Sequence, residues 1–227
     1  MPEDFSLARP RLTPRGSATR ERILTAAADL VFSSGAAAMS LDDVMASSGT
    51  SKSQIYRHFA TRDHLLRAVV SYQGERIVRG QQPQLSELNT IVGLRRWRDR
   101  VIELQDATDY AGGCPLGSLA NELAVDDATR PALERSFDEW EAYLVAGLGR
   151  MRQRGHLPLK SDPRALAEAL MAALQGGLLL TKTRRTSRPL ANALNAVIDH
   201  IEDLARQTPT KQIRNLGRQD SVTCAPP

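Results

Sequence analysis

The amino-acid sequence predicts an all-α fold, with a small N-terminal unit built around a pair of short helices and a larger helical unit after it. Aromatic residues make up 4% of the 227 residues while 41% are hydrophobic, and alanine and leucine dominate. Such a composition favours helices over strands. Helix-capping residues, apolar residues three and four apart, and terminal glycines recur along the chain. A chain of this length can also bury a substantial core.

Residues 1–17 contain several prolines and a glycine and are expected to form a flexible basic arm. Arginine dominates the charge of the segment that follows residue 8, which contains Arg9, Arg11, Arg15, Arg20 and Arg22 against Glu21. This arm is expected either to contact phosphates or the minor groove of DNA, or to serve as a disordered, solubilising leader. The first helix is predicted over residues 18–34, and Gly35 ends it.

Residues 40–59 predict two short helices joined by a tight turn. The Ser40 hydroxyl can cap the first helix, and Gly49 ends it because glycine readily adopts the left-handed conformation. Thr50 is expected to cap the second helix, residues 51–59, which buries Ile55 and Phe59 on one side. This is the helix-turn-helix layout, whose second helix reads the DNA major groove. The alternative from spacing alone is an ordinary helical hairpin with a solvated polar face.

The residues of this stretch match a known family pattern. The matching segments are Thr19-Arg20, Leu41-Asp42-Asp43-Val44-Met45-Ala46, Gly49-Thr50-Ser51, Tyr56-Arg57-His58-Phe59 and Thr61-Arg62-Asp63-His64-Leu65-Leu66. Over about residues 19–67 the sequence resembles the DNA-binding domain of the tetracycline-repressor (TetR) family. Two residues depart from the pattern, since Thr50 replaces the usual valine and His64 replaces a common glutamate. We expect the core to accept Thr50 if its hydroxyl finds a hydrogen-bond partner.

The resemblance implies a DNA-binding domain over residues 18–67 and a homodimer that binds a palindromic, double-stranded DNA operator. Lys52 and Gln54 are the predicted base contacts, because the N-terminal residues of a recognition helix reach base edges. The residues predicted to contact phosphate are Ser40, Ser51, Tyr56, His58 and Arg62. The full DNA-contacting set also includes Thr50, Ser53 and Arg57.

Thr61 is predicted to cap a fourth helix that leaves the small domain and enters the larger one, residues 68–206. If the recognition helix moves when a ligand binds, this helix is the expected lever. Another amphipathic helix is predicted within residues 85–107. Its arginines are interpreted as a solvated face, the alternative being a second DNA surface; they are Arg95, Arg96, Arg98 and Arg100.

Gly112-Gly113, followed by Cys114 and Pro115, predicts a chain break and the start of a new helix. A thiolate at a helix N-terminus is stabilised by the helix dipole, so Cys114 is a candidate sensor of electrophiles or oxidants. The alternative is a small, buried packing residue. The pattern through Leu123 resembles the ligand domains of LmrA/YxaF-like regulators within the TetR family.

A helix predicted near residues 131–155 presents an apolar stripe that could line a cavity for a small apolar or aromatic ligand. The predicted ligand-binding residues are Trp97, Tyr110, Cys114, Leu119, Glu122, Trp140, Tyr143, Leu144, Gln175 and Leu178. From spacing alone, such a stripe is more often ordinary core. The family resemblance favours the cavity, because the second domain of these regulators usually holds an inducer that releases the repressor from DNA.

Asp162-Pro163 starts a helix over about residues 163–184, and a last helix follows over 189–206. Ala169, Ala173 and Gly177 lie four apart, which allows another helix to approach closely. These two helices are predicted to form an isologous dimer interface, as the family resemblance implies, or else to close the core of the monomer. Residues 207–227 are polar and expected to be disordered.

The sequence argues against several other classes of protein. Its formal net charge of +4 and pI near 9.4 suggest an anionic partner. Its cysteines and histidines show no disulfide or metal-ligand spacing, and no Gly-rich phosphate loop or catalytic arrangement is found. We therefore expect neither an enzyme nor a cofactor. Without a signal peptide or membrane span, the protein is expected in the cytoplasm. A regulator that has no ligand, or that responds to oxidation of Cys114, is the alternative.

Overall fold

The computed structural model describes residues 12–207, and this part of the chain is helical, with no β-strand. The helices are α1 (Pro14–Ser34), α2 (Leu41–Ser48), α3 (Lys52–His58), α4 (Arg62–Gly80), α5 (Ile91–Asp106), α6 (Pro115–Leu123), α7 (Arg130–Gln153), α8 (Pro163–Arg184) and α9 (Arg188–Arg206). The prediction of an all-α fold is confirmed. None of the helices between residues 12 and 207 is long and apolar enough to cross a membrane. The expectations for the rest of the arm, including Arg9 and Arg11, and for the C-terminal tail after residue 207 lie outside the described residues.

The first helix begins earlier than the sequence predicted. It starts at Pro14, because the hydroxyl of Thr13 accepts a hydrogen bond from the N–H of Gly16 at 3.2 Å and proline suits a first helical turn. Residues 14–17 therefore belong to α1 and not to a flexible arm. The helix ends at Gly35 as predicted, where φ is 87°. Its buried face packs on α2, α3 and α4 and braces the helix pair.

The fourth helix, α4, joins the two parts of the protein without interruption. Thr61 caps it as predicted, accepting a hydrogen bond from the N–H of His64 at 3.0 Å. Tyr72 holds α4 to α1, since its hydroxyl lies 2.7 Å from that of Thr25. Farther along, α4 packs on α7. The boundary expected between residues 67 and 68 falls inside this helix.

Two buried tryptophans organise the core of the larger unit. Trp97 of α5 and Trp140 of α7 both donate their indole N–H to the side-chain oxygen of Gln81, at 2.7 and 3.2 Å. Leu85 and Leu88 are buried as well, but they lie in the turns before α5. The helix predicted from residue 85 begins at Ile91 instead, because the preceding Thr90 caps it.

The last two long helices, α8 and α9, pack on each other and close the core of the larger unit. Gly177 faces α9 so closely that a Cβ there would lie 2.8 Å from the Cα of Leu190. On the other side of α9, Arg95 of α5 binds Asp199 and Glu202 at 2.9 and 2.7 Å. Arg95 therefore joins two helices, and this accounts for its charge without a second DNA surface.

Candidate DNA-binding surface and ligand cavity

The helix pair α2–α3 is held by its caps. Ser40 caps α2 as predicted, accepting a hydrogen bond from the N–H of Asp43 at 3.1 Å. Gly49 ends the helix in the left-handed conformation, with φ at 63° and ψ at 33°. Ser51 then caps α3 by accepting from the N–H of Gln54 at 3.3 Å. Two turns of helix, a tight turn and a second short helix therefore follow one another as the helix-turn-helix layout requires.

Thr50 does not cap α3, contrary to the prediction. Its side chain is buried, and its hydroxyl lies 2.6 Å from that of Ser48, which in turn donates to the carbonyl oxygen of Val44. The hydroxyl thus has the partner that a polar atom in the core needs. Because Thr50 faces the interior, we leave it out of the proposed DNA surface.

The exposed face of α3 contains four of the ten predicted DNA-contacting residues. Lys52, Ser53, Tyr56 and Arg57 are all exposed, while Ile55 on the opposite face is buried. Tyr56 is 45% exposed. Long cationic, hydroxyl and aromatic side chains side by side suit contacts with phosphates and base edges.

Gln54, one of the two predicted base contacts, also forms part of the capping box of α3. Its side-chain oxygen accepts a hydrogen bond from the backbone N–H of Ser51 at 2.8 Å. This leaves the two N–H groups of the amide as donors for a partner. A glutamine in this state presents donors to a base acceptor such as an oxygen or a purine N7.

His58, at the end of α3, lies against positive charge. Burial, and then the charges of Arg57 and Arg20, lower the pKa of the imidazole from its ordinary value. Its Nε2 atom is buried and has no hydrogen-bond partner within residues 12–207. The imidazole is therefore held neutral in the free protein, next to the face on which anionic phosphate is expected.

Arg62, a predicted phosphate contact, is bound to backbone in this structure. Its guanidinium donates to the carbonyl oxygen of Met39 at 3.3 Å and also to that of Ala36. Ser40, another predicted phosphate contact, donates to the carboxylate of Asp43 at 2.6 Å. Both side chains hold the start of α2, so any contact they make with DNA comes in addition to this structural role.

A cavity of about 410 Å³ lies where the DNA-binding part meets the larger unit. Its walls come from α1, α4, α5, the α5–α6 loop, the start of α6, α7 and α8. The apolar lining side chains are Phe32, Ile77, Val101, Leu104, Cys114, Pro115, Trp140 and Leu178. This volume is in the usual range for small-molecule sites, and the lining is mostly apolar with a few polar groups, as such sites require.

The sequence analysis identified part of this lining. Cys114, Trp140 and Leu178 line the cavity as predicted. The other predicted ligand residues are not part of the lining. Trp97, Leu119 and Leu144 are in the core, and Tyr143 is exposed. Tyr110 pairs with Asp106 and Ser187, Gln175 contacts Gly117 and Cys114, and Glu122 faces the small domain. The prediction had combined an apolar stripe at helical spacing with aromatic and polar residues from other segments, and such a pattern does not distinguish a core position from a cavity wall.

The lining that the sequence analysis missed comes mainly from α1, α4 and α5. Gln73, Ile77, Gly80 and Gln81 lie on one face of α4 and at its end, at spacings of four, three and one. A polar residue repeated on an otherwise apolar helix face was the available signal. Phe32 of α1 was not predictable in this way, because its spacing suits an exposed residue as well as a lining one.

Polar side chains also line the cavity. The side-chain oxygen of Gln105 is buried and has no hydrogen-bond partner in the described part of the chain, while its amide nitrogen donates to the carbonyl of Gly113 at 3.4 Å. Arg76 and Asp29, also in the lining, lie 3.7 Å apart and are both largely exposed. A buried acceptor without a donor suits a ligand that supplies one.

Cys114 is the N-cap of α6, as the sequence predicted from the proline after it. Its Sγ accepts a hydrogen bond from the N–H of Gly117 at 3.3 Å. Burial raises the pKa of the Cys114 thiol, and this effect outweighs the hydrogen bonds at the helix start that lower it. The thiol is therefore protonated near neutral pH, unlike a reactive sensor cysteine.

The outer face of α8 is apolar and open. Leu179 and Leu180 are 61% and 42% exposed. A Cβ added at Gly176 would meet no atom within 4 Å, whereas the neighbouring Gly177 is pressed against α9. Gly177 therefore allows another helix to approach closely, as predicted, and that helix is α9 of the same chain, whereas Gly176 lies on the open face.

Comparison with known proteins finds relatives of both parts of the chain. A family model described as bacterial regulatory proteins, tetR family, matches residues 23–69. Another, described as transcriptional regulator LmrA/YxaF-like, C-terminal domain, matches residues 90–206. The first match ends within α4, and the second covers α5 to α9.

Individual proteins are similar over most of the chain. An uncharacterized HTH-type transcriptional regulator in the lacX 3' region of Lactococcus lactis is 30% identical, over 72% of this chain and 83% of its own. The HTH-type transcriptional repressor DhaR of a Mycobacterium species is 22% identical, over 80% of this chain and 91% of its own. A crystal structure of a TetR transcriptional regulator from Chloroflexus aurantiacus has a TM-score of 0.68 and 27% identity, covering 83% of this chain and 96% of its own.

Proposed function

Because the chain belongs to the TetR family of bacterial transcriptional regulators, we propose that it is a repressor that binds a palindromic operator as a dimer and is released by a small ligand. DNA binding and transcription regulation are the functions of this family. We propose in addition that it represses transcription, that its operator is a palindrome, and that a ligand releases it. The residues assigned to these functions below are part of the proposal. DhaR, one of the similar proteins, is named a repressor.

The observation that carries the DNA-binding proposal is the exposed face of α3, held in place by the caps of the helix pair. Lys52 and the amide N–H groups of Gln54 are proposed to contact bases, because they lie in the first turn of the recognition helix. Ser53, Tyr56 and Arg57 are proposed to contact phosphates. His58 is proposed to join them by taking up a proton when phosphate approaches.

The proposed ligand is a small, largely apolar or aromatic molecule with a hydrogen-bond donor. The volume and the apolar lining of the cavity support the apolar body, and the unpartnered oxygen of Gln105 supports the donor. Such a ligand releases DNA if it binds better when the recognition helices are wrongly placed for the operator. Reciprocity then requires that DNA lowers the affinity for the ligand by the same factor.

The proposed dimer interface is the outer face of α8 together with α9, about residues 163–184 and 189–206. The exposed Leu179 and the open surface at Gly176 support it. We expect Leu179→Glu to give a monomer by sedimentation and to weaken operator binding. Leu159→Glu is the matched control, since Leu159 is 68% exposed but lies in the α7–α8 loop. Equal association of both variants would contradict this interface.

The experiment that tests the DNA-binding proposal is selection of bound duplexes from a random DNA pool, followed by footprinting and measurement of stoichiometry. A palindrome that binds protomers in multiples of two is the expected result. Lys52→Ala should weaken binding to it at least about tenfold, whereas Lys160→Ala, which removes an equal charge from the exposed α7–α8 loop, should not. A failure to enrich any sequence over nonspecific binding would contradict the proposal.

The alternative of a thiol sensor at Cys114 has less support. What supports it is the position of the thiol at the start of α6 and in the cavity wall. Its raised pKa, caused by burial, opposes the thiolate that such chemistry needs. A Cys114→Ser variant that still binds a ligand in the cavity but is no longer released from the operator by it would favour this alternative.

A further inference from the structure

A carboxylate of the larger unit binds the backbone of the small domain. Glu122, in the last turn of α6, accepts a hydrogen bond from the N–H of Ala36 at 2.6 Å. Ala36 lies in the α1–α2 turn and is 1% exposed. Gly35 lies under the same carboxylate, since a Cβ there would be 3.1 Å from the Glu122 Oε2 atom. A backbone N–H that donates to an ionised carboxylate forms one of the stronger classes of hydrogen bond.

The same turn is held from the opposite side by α4. Arg62 donates to the carbonyl oxygens of Ala36 and Met39, so both polar groups of Ala36 are bound by charged side chains. Arg62 belongs to the helix that closes the small domain, while Glu122 belongs to the larger unit. The turn leads directly into α2, whose first residue follows Ser40. Its position therefore sets where the helix pair begins.

The other end of α6 forms part of the cavity wall. Cys114 and Pro115 line the cavity, and Glu122 lies two turns farther along the same helix, about 10 Å away along its axis. A rigid helix of this length transmits a displacement of one end to the other. A molecule that moves the start of α6 consequently moves the carboxylate that holds the α1–α2 turn.

We propose that Glu122 is a positioning residue that couples the cavity to the helix-turn-helix by fixing the α1–α2 turn. Its carboxylate orients the small domain on the larger unit, and α6 carries the state of the cavity to that contact. The effect of Glu122 on operator affinity rests on the proposed DNA-binding function. The contact itself can be measured on the free protein.

Hydrogen exchange of the full-length free protein tests the contact directly. Glu122→Ala removes the acceptor, Glu122→Gln keeps an acceptor oxygen without the charge, and Asn121→Ala is the matched control on the exposed surface of the same helix. We expect exchange of the Ala36 amide to increase about tenfold or more in Glu122→Ala. Glu122→Gln should restore most of the protection, and Asn121→Ala should leave it unchanged.

Operator affinity of the same proteins tests the coupling. A less fixed small domain must be ordered when DNA binds, so Glu122→Ala should bind the operator about three- to tenfold more weakly. Glu122→Gln and Asn121→Ala should bind within about twofold of the unmodified chain. Circular dichroism melting of each protein separates this effect from global unfolding.

The role of the cavity in this coupling is tested by placing a larger side chain in the cavity. Leu104→Trp introduces a large side chain at a lining position, and its effect on exchange of the Ala36 amide is compared with and without Glu122→Ala. A change that appears only when Glu122 is present supports the coupling. Unchanged Ala36 exchange in Glu122→Ala, or equal effects of Leu104→Trp in both backgrounds, overturns it. If no operator can be selected, the proposed function fails while the exchange measurements still decide the role of Glu122.

Discussion

Gly147 of α7 lies directly against Leu88, so closely that a Cβ at this glycine would overlap the Leu88 carbonyl oxygen. This contact seats the turns before α5 on α7. Arg150, one turn farther along α7, supports it by donating to the same carbonyl oxygen at 3.3 Å. The two interactions together fix a loop that spacing alone had assigned to a helix.

Gly147→Ala should therefore destabilise the protein although alanine is the better helix former. The added methyl group meets backbone that cannot move aside easily, so we expect the free energy of unfolding to fall by about 1–3 kcal/mol or more. Gly149→Ala in the same helix is the matched control, because a Cβ there meets no atom within 4 Å. It should raise the stability by up to about 1 kcal/mol. Chemical denaturation of both variants is the measurement, and equal effects would contradict the close packing.

Tyr56→Phe and Gln54→Ala should affect operator binding in different ways. The phenol hydroxyl is assigned to phosphate, so its loss should weaken binding to all sequences by a similar factor. The amide of Gln54 is assigned to a base, so its loss should change which sequence is preferred, with a discrimination effect of about 1–3 kcal/mol at one base pair. Repeating the selection with each variant measures both effects. A uniform loss for both variants would refute the assignment.

Because Gln54 also caps α3, its substitution needs a control for folding. Gln54→Glu retains an oxygen that can accept from the N–H of Ser51. It loses the amide donors, so its sequence preference should change while its thermal stability stays close to that of the unmodified chain. A melting temperature as low as that of Gln54→Ala would show that the cap tolerates no change.

Operator affinity should rise as pH falls from about 8 to about 6. In the free protein the pKa of His58 is lowered, first by burial and then by Arg57 and Arg20. An adjacent phosphate raises that pKa, so binding takes up a proton, and lower pH favours the complex until the free protein is protonated too. The measurement is the Kd for the operator across this pH range.

His58→Gln should remove this pH dependence, and His156→Gln, on the exposed turn after α7, should retain it. The stability of the free protein changes with pH in the opposite direction to the operator affinity. Because its folded state disfavours protonated His58, protonation of the unfolded chain weakens folding as pH falls below the ordinary histidine value. A pH dependence that is the same in His58→Gln would place the titrating group elsewhere.

Cys114 should react slowly with alkylating reagents in the folded protein. Burial raises the pKa of this thiol, so little thiolate exists near neutral pH. The rate of alkylation should increase as the pH rises and the thiol loses its proton. The Cys224→Ser variant provides a chain in which Cys114 is the remaining cysteine. We expect its labelling by iodoacetamide to be at least about tenfold slower in native buffer than in denaturant. Rapid native labelling would revive the thiol-sensor alternative.

The helix pair could be predicted from sequence because its signals are local. Ser40 and Gly49 perform the capping and turning roles that their chemistry indicates, and those roles depend on neighbours within four residues. Thr50 shows where local reasoning ends. As a capping residue it suits the start of α3, but its side chain is buried where the helices pack together, and there its hydroxyl pairs with Ser48 instead.

The cavity was harder to predict because it depends on distant segments. Trp97 and Trp140 have the same apolar spacing, yet Trp97 is sealed in the core while Trp140 reaches the cavity. Their shared acceptor, Gln81, belongs to neither helix. Spacing along one helix identifies a buried face. Whether that face belongs to the core or to a cavity depends on whether the neighbouring helices pack against it.

The unbroken course of α4 has a consequence for engineering. Its first turn holds the α1–α2 turn through Arg62, and its last turns line the cavity through Ile77 and Gly80. A hybrid protein that joins this helix-turn-helix domain to a foreign ligand-binding domain at residue 67 would interrupt α4 between these two ends. Under the proposed function, we expect such a hybrid to bind its operator without responding to the new ligand, and a junction after residue 80 to keep α4 whole.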